Sequence, residues 1–179
     1  MELSEIKNAA IYCGTYHKYN CGSLFGEWIQ LSDFADKDEF IAYCKQLHKD
    51  EDDPELMFQD MEYIPSWLGG ESWISPIVWD LMNADDDDLD ILGHYLQACT
   101  IDTDNMSAEE LIEEAKEKFV GEYYSAEELG QAMFDEFIAP FFPKQMLSTI
   151  EYHFDMKGYG EEFLDDWYED EGYYYDTNR

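Results

Sequence analysis

The apolar residues near the start of the chain fall into short runs separated by glycine and polar punctuation. AAIYCGTY (9–16), EWIQL (27–31) and ELMFQDMEYI (55–64) each have the length and the aromatic or β-branched content of a strand. Between the first two lies the glycine-rich HKYNCGSLFG, which reads as a loop. Between the second and third the period changes. Phe40, Tyr43, Cys44 and Leu47 recur at i, i+3, i+4 and i+7, and Asp36 followed three residues later by Glu39 marks a helix start. The pattern predicts a three-stranded sheet covered by one helix.

Beyond residue 70 helical spacing dominates. Ser75 ahead of Pro76 opens a helix in ISPIVWDLM with proline at its first position. The run Asp85–Asp88 precedes Leu89, Leu92, Leu96 and Cys99, a narrow apolar stripe whose acidic beginning complements the helix dipole. Ser107 with Glu110 and Ser125 with Glu128 are two further capping boxes, so four short helices are expected, ended by Pro140 and Pro143. Leu147, Ile150 and Phe154 mark another helix running to Gly158; EEFLDDWYEDE (161–171) reads as a short acidic helix and Tyr173–Tyr175 as a last strand. These elements predict an α+β fold of three small subdomains. An α+β unit spans 1–70, an acidic helical bundle 71–122 and a small α/β unit 123–179.

Composition changes this picture in one respect. The 43 Asp and Glu against 10 Lys and Arg give a net charge of −33, which opposes compaction by self-repulsion. Nucleic acid and anionic membranes are excluded as direct partners, and a strongly basic surface is favoured. Disorder does not account for the acidity, because acidic tails are poor in aromatics and this chain is 17% aromatic along its whole length. The charge is also segregated. Residues 1–49 carry 7 acidic and 5 basic side chains, residues 50–115 carry 20 acidic and no Lys or Arg, and residues 116–179 carry 16 acidic and 5 basic.

The beginning MELSEIKNAA lacks a basic region followed by an apolar run, and no stretch approaches the roughly 18 apolar residues of a membrane span. Cys13, Cys21, Cys44 and Cys99 are too sparse for a disulfide scaffold and read as thiols of a reducing compartment. A cytoplasmic protein is expected.

No nucleophile-and-base signature points to an enzyme, and His17, His48, His94 and His153 stand apart from one another. Cys13, His17 and Cys21 with Cys44 lack the two close ligand pairs of a structural zinc site. Neither the Asp85–Asp88 run nor the register starting at Asp102 supplies both the sixth-position glycine and twelfth-position glutamate of a calcium loop. YNCGSLFG has neither the spacing nor the lysine of a phosphate cradle. No cofactor and no metal are expected.

The acidic surface is then the functional element. Carboxylates three or four apart on a helix lie about 5–6 Å from one another. Duplex DNA carries one charge per ~1.7 Å of axis, so a net charge of −33 matches ~56 Å of duplex. Solubility alone needs a net charge of only about 2–8, and a structural acidic helix would intersperse lysines, which residues 50–115 do not. The reading is a decoy that presents carboxylates where a DNA-binding protein expects phosphates. A second reading is an acidic adaptor or chaperone-like protein for another basic DNA-binding protein.

IYCGTYHKYNCGSLFGEWIQL resembles the opening of the ArdA antirestriction proteins, in which a strand, a YNxG turn and a Gly-x-Trp strand follow in order. These are Ile11–Tyr16, Tyr19-Asn20-x-Gly22 and Gly26-Glu27-Trp28 here. The resemblance continues through ELMFQDMEYIP; DLDILGHYLQACT occupies the place of the family's antirestriction motif, and IEYHFDMKGYGEEFLDDWY is similar to its Tyr-rich ending. It implies an elongated homodimer of three subdomains, carried on mobile genetic elements, that mimics bent DNA. It also implies occupation of the DNA-binding groove of type I restriction-modification enzymes, blocking cleavage and often methylation. The phosphate surrogates expected on this reading are Asp50, Glu51, Asp52, Asp53, Asp85, Asp86, Asp87, Asp88, Asp90, Glu109, Glu110, Glu113 and Glu114.

Overall fold

The computed structural model describes residues 2–101, 103 and 106–178. Asp102 and Asp104, which the calcium register above would use, lie outside the described residues. The chain gathers into two units, one of residues 1–93 and 102–112, the other of residues 94–101 and 113–179. The segment 71–122, expected as a helical bundle, contributes to both.

In the first unit a 3-10 turn over Leu3–Asn8 leads into β1 (Ala10–Thr15), followed by helix α1 (Tyr16–Asn20), β2 (Glu27–Gln30), helix α2 (Lys37–Leu47) and β3 (Leu56–Glu62). The sheet order is β2-β1-β3, antiparallel throughout, with Ile11 opposite both Ile29 and Met61. All three expected strands are present. Gln59 is the extra residue of a bulge on β3, since Tyr12 pairs with Asp60 but Cys13 with Phe58.

Helix α2 starts where the capping pattern put it. The Asp36 carboxylate accepts from Glu39 N–H at 2.9 Å, and the Glu39 carboxylate reaches back to Ala35 N–H at 3.0 Å. Phe40 and Cys44 are fully buried, whereas Tyr43 is 42% exposed, so the inward stripe is narrower than the spacing suggested. Phe40 meets Phe58 of the sheet at 5.7 Å and Trp79 at 5.9 Å between ring centroids. Each such buried ring contributes about 1.5–3 kcal/mol through removal from water.

A two-residue ladder, β4 (Gly69–Gly70) with β5 (Trp73–Ile74), precedes α3 (Ile77–Met82), which begins one residue after Pro76. Helices α4 (Asp86–Ala98) and α5 (Ala108–Lys118) each begin in the first unit and end in the second.

The second unit holds β6 (Phe119–Glu122), α6 (Ala126–Phe137), α7 (Lys144–His153), α8 (Met156–Phe163), β7 (Tyr168–Asp170) and β8 (Tyr173–Tyr175). Its antiparallel sheet has the order β6-β8-β7. Leu129, Met133 and Tyr174 form a buried cluster flanked by Tyr159, Phe163 and Trp167. Helices α6 and α8 cross where Gly130 and Gly160 face each other. A Cβ on Gly130 would lie 1.8 Å from the Met156 carbonyl oxygen, and one on Gly160 would lie 1.8 Å from that of Ala126.

Two sequence expectations are corrected here. The helix expected to run to Gly158 ends at His153, because the Asp155 carboxylate accepts from Gly158 N–H at 2.9 Å and starts a new helix. The segment 161–171, expected as one helix, supplies the last turn of α8 and then edge strand β7.

Candidate functional site

The first acidic stretch follows α2. Lys18, projecting from α1, reaches Asp50 at 2.8 Å and Glu51 at 3.3 Å, and its ammonium lies 4.9 Å from the Phe25 ring centroid. Thr15, which caps α1, also donates its hydroxyl to Glu51 at 2.7 Å. The Asp50 side chain is 64% exposed and that of Glu51 only 13%. The hydrogen bond from Lys18 holds the Asp50 carboxyl below its usual range. For Glu51 burial pushes upward, but the bonds from Thr15 and Lys18 outweigh it and the carboxyl lies low. Lys18 mirrors this: burial disfavours its charge, yet the two carboxylates raise its pKa. Asp52 and Asp53 are exposed and line, with Tyr16, Asn20 and Glu55, a recess of about 530 Å³.

The second stretch opens α4. Asp85, Asp86 and Asp87 are exposed while Asp88 and Asp90 are half-buried. Asp86, Asp87 and Asp88 occupy the first helical turn, where the unpaired N–H groups favour negative charge. Asp86 is also paired with Lys7.

The third stretch lies on α5. Glu109, Glu110 and Glu113 are exposed. Glu110 completes the capping box, its carboxylate accepting from Ser107 N–H at 2.8 Å and Ser107 hydroxyl at 2.9 Å, which holds its pKa low. Glu114 is half-buried and accepts from Tyr95 at 2.9 Å; burial, with Glu114 behind it, pushes the Tyr95 phenol well up. Among the expected surrogates, then, Asp52, Asp53, Asp85, Asp87, Glu109 and Glu113 are exposed, Asp50, Asp86 and Glu110 are exposed but bonded to Lys18, Lys7 and Ser107, and Glu51 and Glu114 are tied into the protein.

Sequence reasoning passed over a further exposed group, Glu161, Glu162, Asp165 and Asp166, at the end of α8. Its sequence signal is the paired spacing of EEFLDD, which marks a helix and a cluster of carboxylates alike. Among the described residues no three His, Cys, Asp or Glu side chains are arranged to hold a metal ion, and no helix is long and apolar enough to cross a membrane. Cys13 and Cys44 are buried together, and the hydrogen bond with the Cys13 thiol, then burial, push the Cys44 thiol upward; Cys21 is exposed.

The loop that precedes these carboxylates has a defined geometry. Ser23 N–H donates to Lys18 C=O and Gly22 N–H to Tyr19 C=O, both at 2.9 Å, with Gly22 at φ 81°. This is a helix stop that requires a left-handed residue, and it explains the glycine of Tyr19-Asn20-x-Gly22. Gly26 lies so close to β1 that a Cβ there would sit 2.4 Å from the Cys13 carbonyl oxygen. Two residues on, Trp28 meets Tyr12 edge to face at 5.6 Å. The family model described as antirestriction protein (ArdA) matches residues 11–175, which takes in this loop, its strands and all three acidic stretches. The chain belongs to the ArdA family. No curated protein and no solved structure matches it. As an ArdA protein it is an antirestriction protein, a member of an inhibitor family that acts on restriction enzymes.

Proposed function

We propose that this ArdA protein is a DNA mimic whose carboxylates occupy the basic DNA-binding groove of type I restriction-modification enzymes. The observation that carries the reading is the stretch 50–115, with 20 acidic residues and no Lys or Arg, whose exposed members include Asp52 and Asp53 on one loop, Asp85, Asp86 and Asp87 at the start of α4, and Glu109, Glu110 and Glu113 in the first two turns of α5. Helix starts hold carboxylates in fixed positions, as a phosphate backbone does, and leave their charge facing water. Asp50, Asp52, Asp53, Asp85, Asp86, Asp87, Glu109, Glu110 and Glu113 are the surrogates whose side chains reach the surface. Asp88 and Asp90 supplement them, and Glu51 and Glu114 act mainly by contributing to the field. The working form on this reading is a cytoplasmic homodimer of three subdomains, and neither metal nor cofactor takes part.

Competition tests the proposal. A purified type I methyltransferase complex is bound to labelled duplex carrying its site, and the protein is titrated in. Displacement of the duplex at stoichiometric protein is expected. Undiminished DNA binding at saturating protein sinks the proposal and leaves the adaptor for another basic DNA-binding protein.

A further inference from the structure

Within the first unit a cavity of about 420 Å³ lies against the start of α5, walled by Trp67, Trp73, Pro76, Ile77 and Met106, with Glu110 at its edge. Its lining mixes these apolar side chains with Ser75, Thr103 and Ser107, and Trp73 is 47% exposed. We propose that this cavity is a socket for one arginine side chain of the basic groove that the acidic surface engages. The inference rests on the function proposed above and names one specific contact within it.

The chemistry of the lining selects the occupant. Among the described residues Glu110 is the one charged member of the lining, so a purely apolar side chain would leave it unpaired, and a carboxylate would be repelled. Only lysine and arginine combine an apolar stem with a cationic tip. Arginine fits better, because its planar, weakly hydrated guanidinium stacks on indoles and an ammonium does so less well. Glu110 is prepared for the role. Ser107 occupies its Oε2 with two hydrogen bonds, which fix the carboxylate, and leaves Oε1 to accept from a guanidinium. No lysine or arginine of segment 50–115 exists to fill the cavity from within. Tryptophan and arginine are also both enriched among the residues that dominate interface energetics, and such residues tend to meet across an interface.

The test has two arms. In the first, N-acetyl-arginine amide is titrated into the intact protein while the indole N–H signals are followed by NMR. Saturable shifts of Trp67 and Trp73 are expected, with Trp28 and Trp79 unmoved, weaker shifts with the lysine amide and none in Glu110→Gln. The glutamine keeps an oxygen for Ser107, so an unchanged spectrum elsewhere reports an intact fold. In the second arm, Glu110→Gln weakens inhibition of the restriction enzyme about tenfold, and Glu109→Gln, which removes the same charge outside the cavity, does so by much less. Arginine shifts shared equally with Trp28, or equal losses for Glu109→Gln and Glu110→Gln, overturn the socket and leave only diffuse charge. Failure of the wild-type protein to displace DNA overturns the functional reading instead, and the first arm separates the two because it contains no enzyme.

Discussion

His48 Nδ1 accepts a hydrogen bond from the Lys18 ammonium at 2.9 Å, and on the other side of the ring Nε2–H donates to the Cys13 carbonyl at 3.2 Å. A carbonyl can only accept, so the proton is on Nε2. Through this fully buried ring the end of α2 is tied to β1 and to the one cation that also holds Asp50 and Glu51. The acidic stretch therefore begins at a position that the nearly charge-balanced first segment fixes.

Replacing Lys18 by Met removes that cation and leaves the largely buried Glu51 with only Thr15 as partner. A loss of about 1.5–3 kcal/mol of unfolding free energy is expected, the range for hydrogen bonds to charged groups. The sign of its pH dependence follows from the shifts. Asp50 and Glu51 have depressed folded-state pKa values, so their contribution is present above the unfolded carboxyl value and is lost as pH falls through the lower folded one. Lys18 is raised, so its contribution fades only as pH climbs past the unfolded lysine value. Urea unfolding of both proteins should give a constant difference between about pH 6 and 9, shrinking in acid below about pH 4. A difference that stays flat into acid would mean that the ion pairs contribute nothing.

The crossing of α6 and α8 makes a second prediction. An added methyl on Gly130 or Gly160 meets a backbone carbonyl 1.8 Å away, which no rotamer change relieves. Gly130→Ala and Gly160→Ala should each cost more than about 3 kcal/mol or unfold the second unit. Because both separate the same pair of helices, the double variant should cost less than the sum of the singles. Additive losses in thermal unfolding would show that the two contacts are independent.

The same crossing marks the limit of what the sequence discloses. Alternating and helical periods located β1, β2, β3 and α2, and the Ser107 and Ser125 boxes located two helix starts, because those signals are local. Ser125 caps Glu128 N–H at 3.2 Å as its spacing required. The break between α7 and α8 was hidden, since Leu147, Ile150 and Phe154 keep a helical period and the interruption depends on one Asp155 side chain. Strand β7 has exposed Tyr168 and Glu169 at a sheet edge and no alternation to read; β6 is short and follows α5 directly. The candidate surface divides in the same way. Charge segregation is visible in a count, whereas the withdrawal of Glu51 toward Thr15 and Lys18 depends on contacts more than 30 residues apart in the chain.

Salt should act oppositely on stability and on inhibition. With a net charge of −33, screening over about 8 Å at physiological ionic strength relieves self-repulsion, so the melting temperature rises with NaCl. The same ions weaken attraction to a basic groove, so the affinity measured by competition falls over that range. Affinity unchanged between 50 and 500 mM NaCl (about 14 and 4 Å of screening) would rule out charge mimicry.

The last prediction concerns how inhibition is spread over residues. A DNA-binding groove uses phosphates mainly for position, and an exposed ion pair is worth about 0–1 kcal/mol. Asp87→Asn alone should therefore change affinity by no more than about fivefold. Converting Asp85, Asp87, Asp88 and Asp90 together leaves the Asp86 pair with Lys7 intact and removes four charges from the start of α4. The summed loss reaches about 3–4 kcal/mol, two to three orders of magnitude in affinity, if each contributes near the upper limit. Two effects on stability then oppose each other. Losing charge beside the α4 N-terminus costs about 0.3–1 kcal/mol per first-turn carboxylate, and relief of repulsion returns a comparable amount at low salt. The fold should survive, with circular dichroism unchanged, because Leu89 and Leu92 on the inner side of the helix remain buried. A stepwise decline in inhibition from one to four substitutions is the outcome expected of a charged field. Abolition by a single substitution, with no further effect of the other three, would instead place the function in a localised contact.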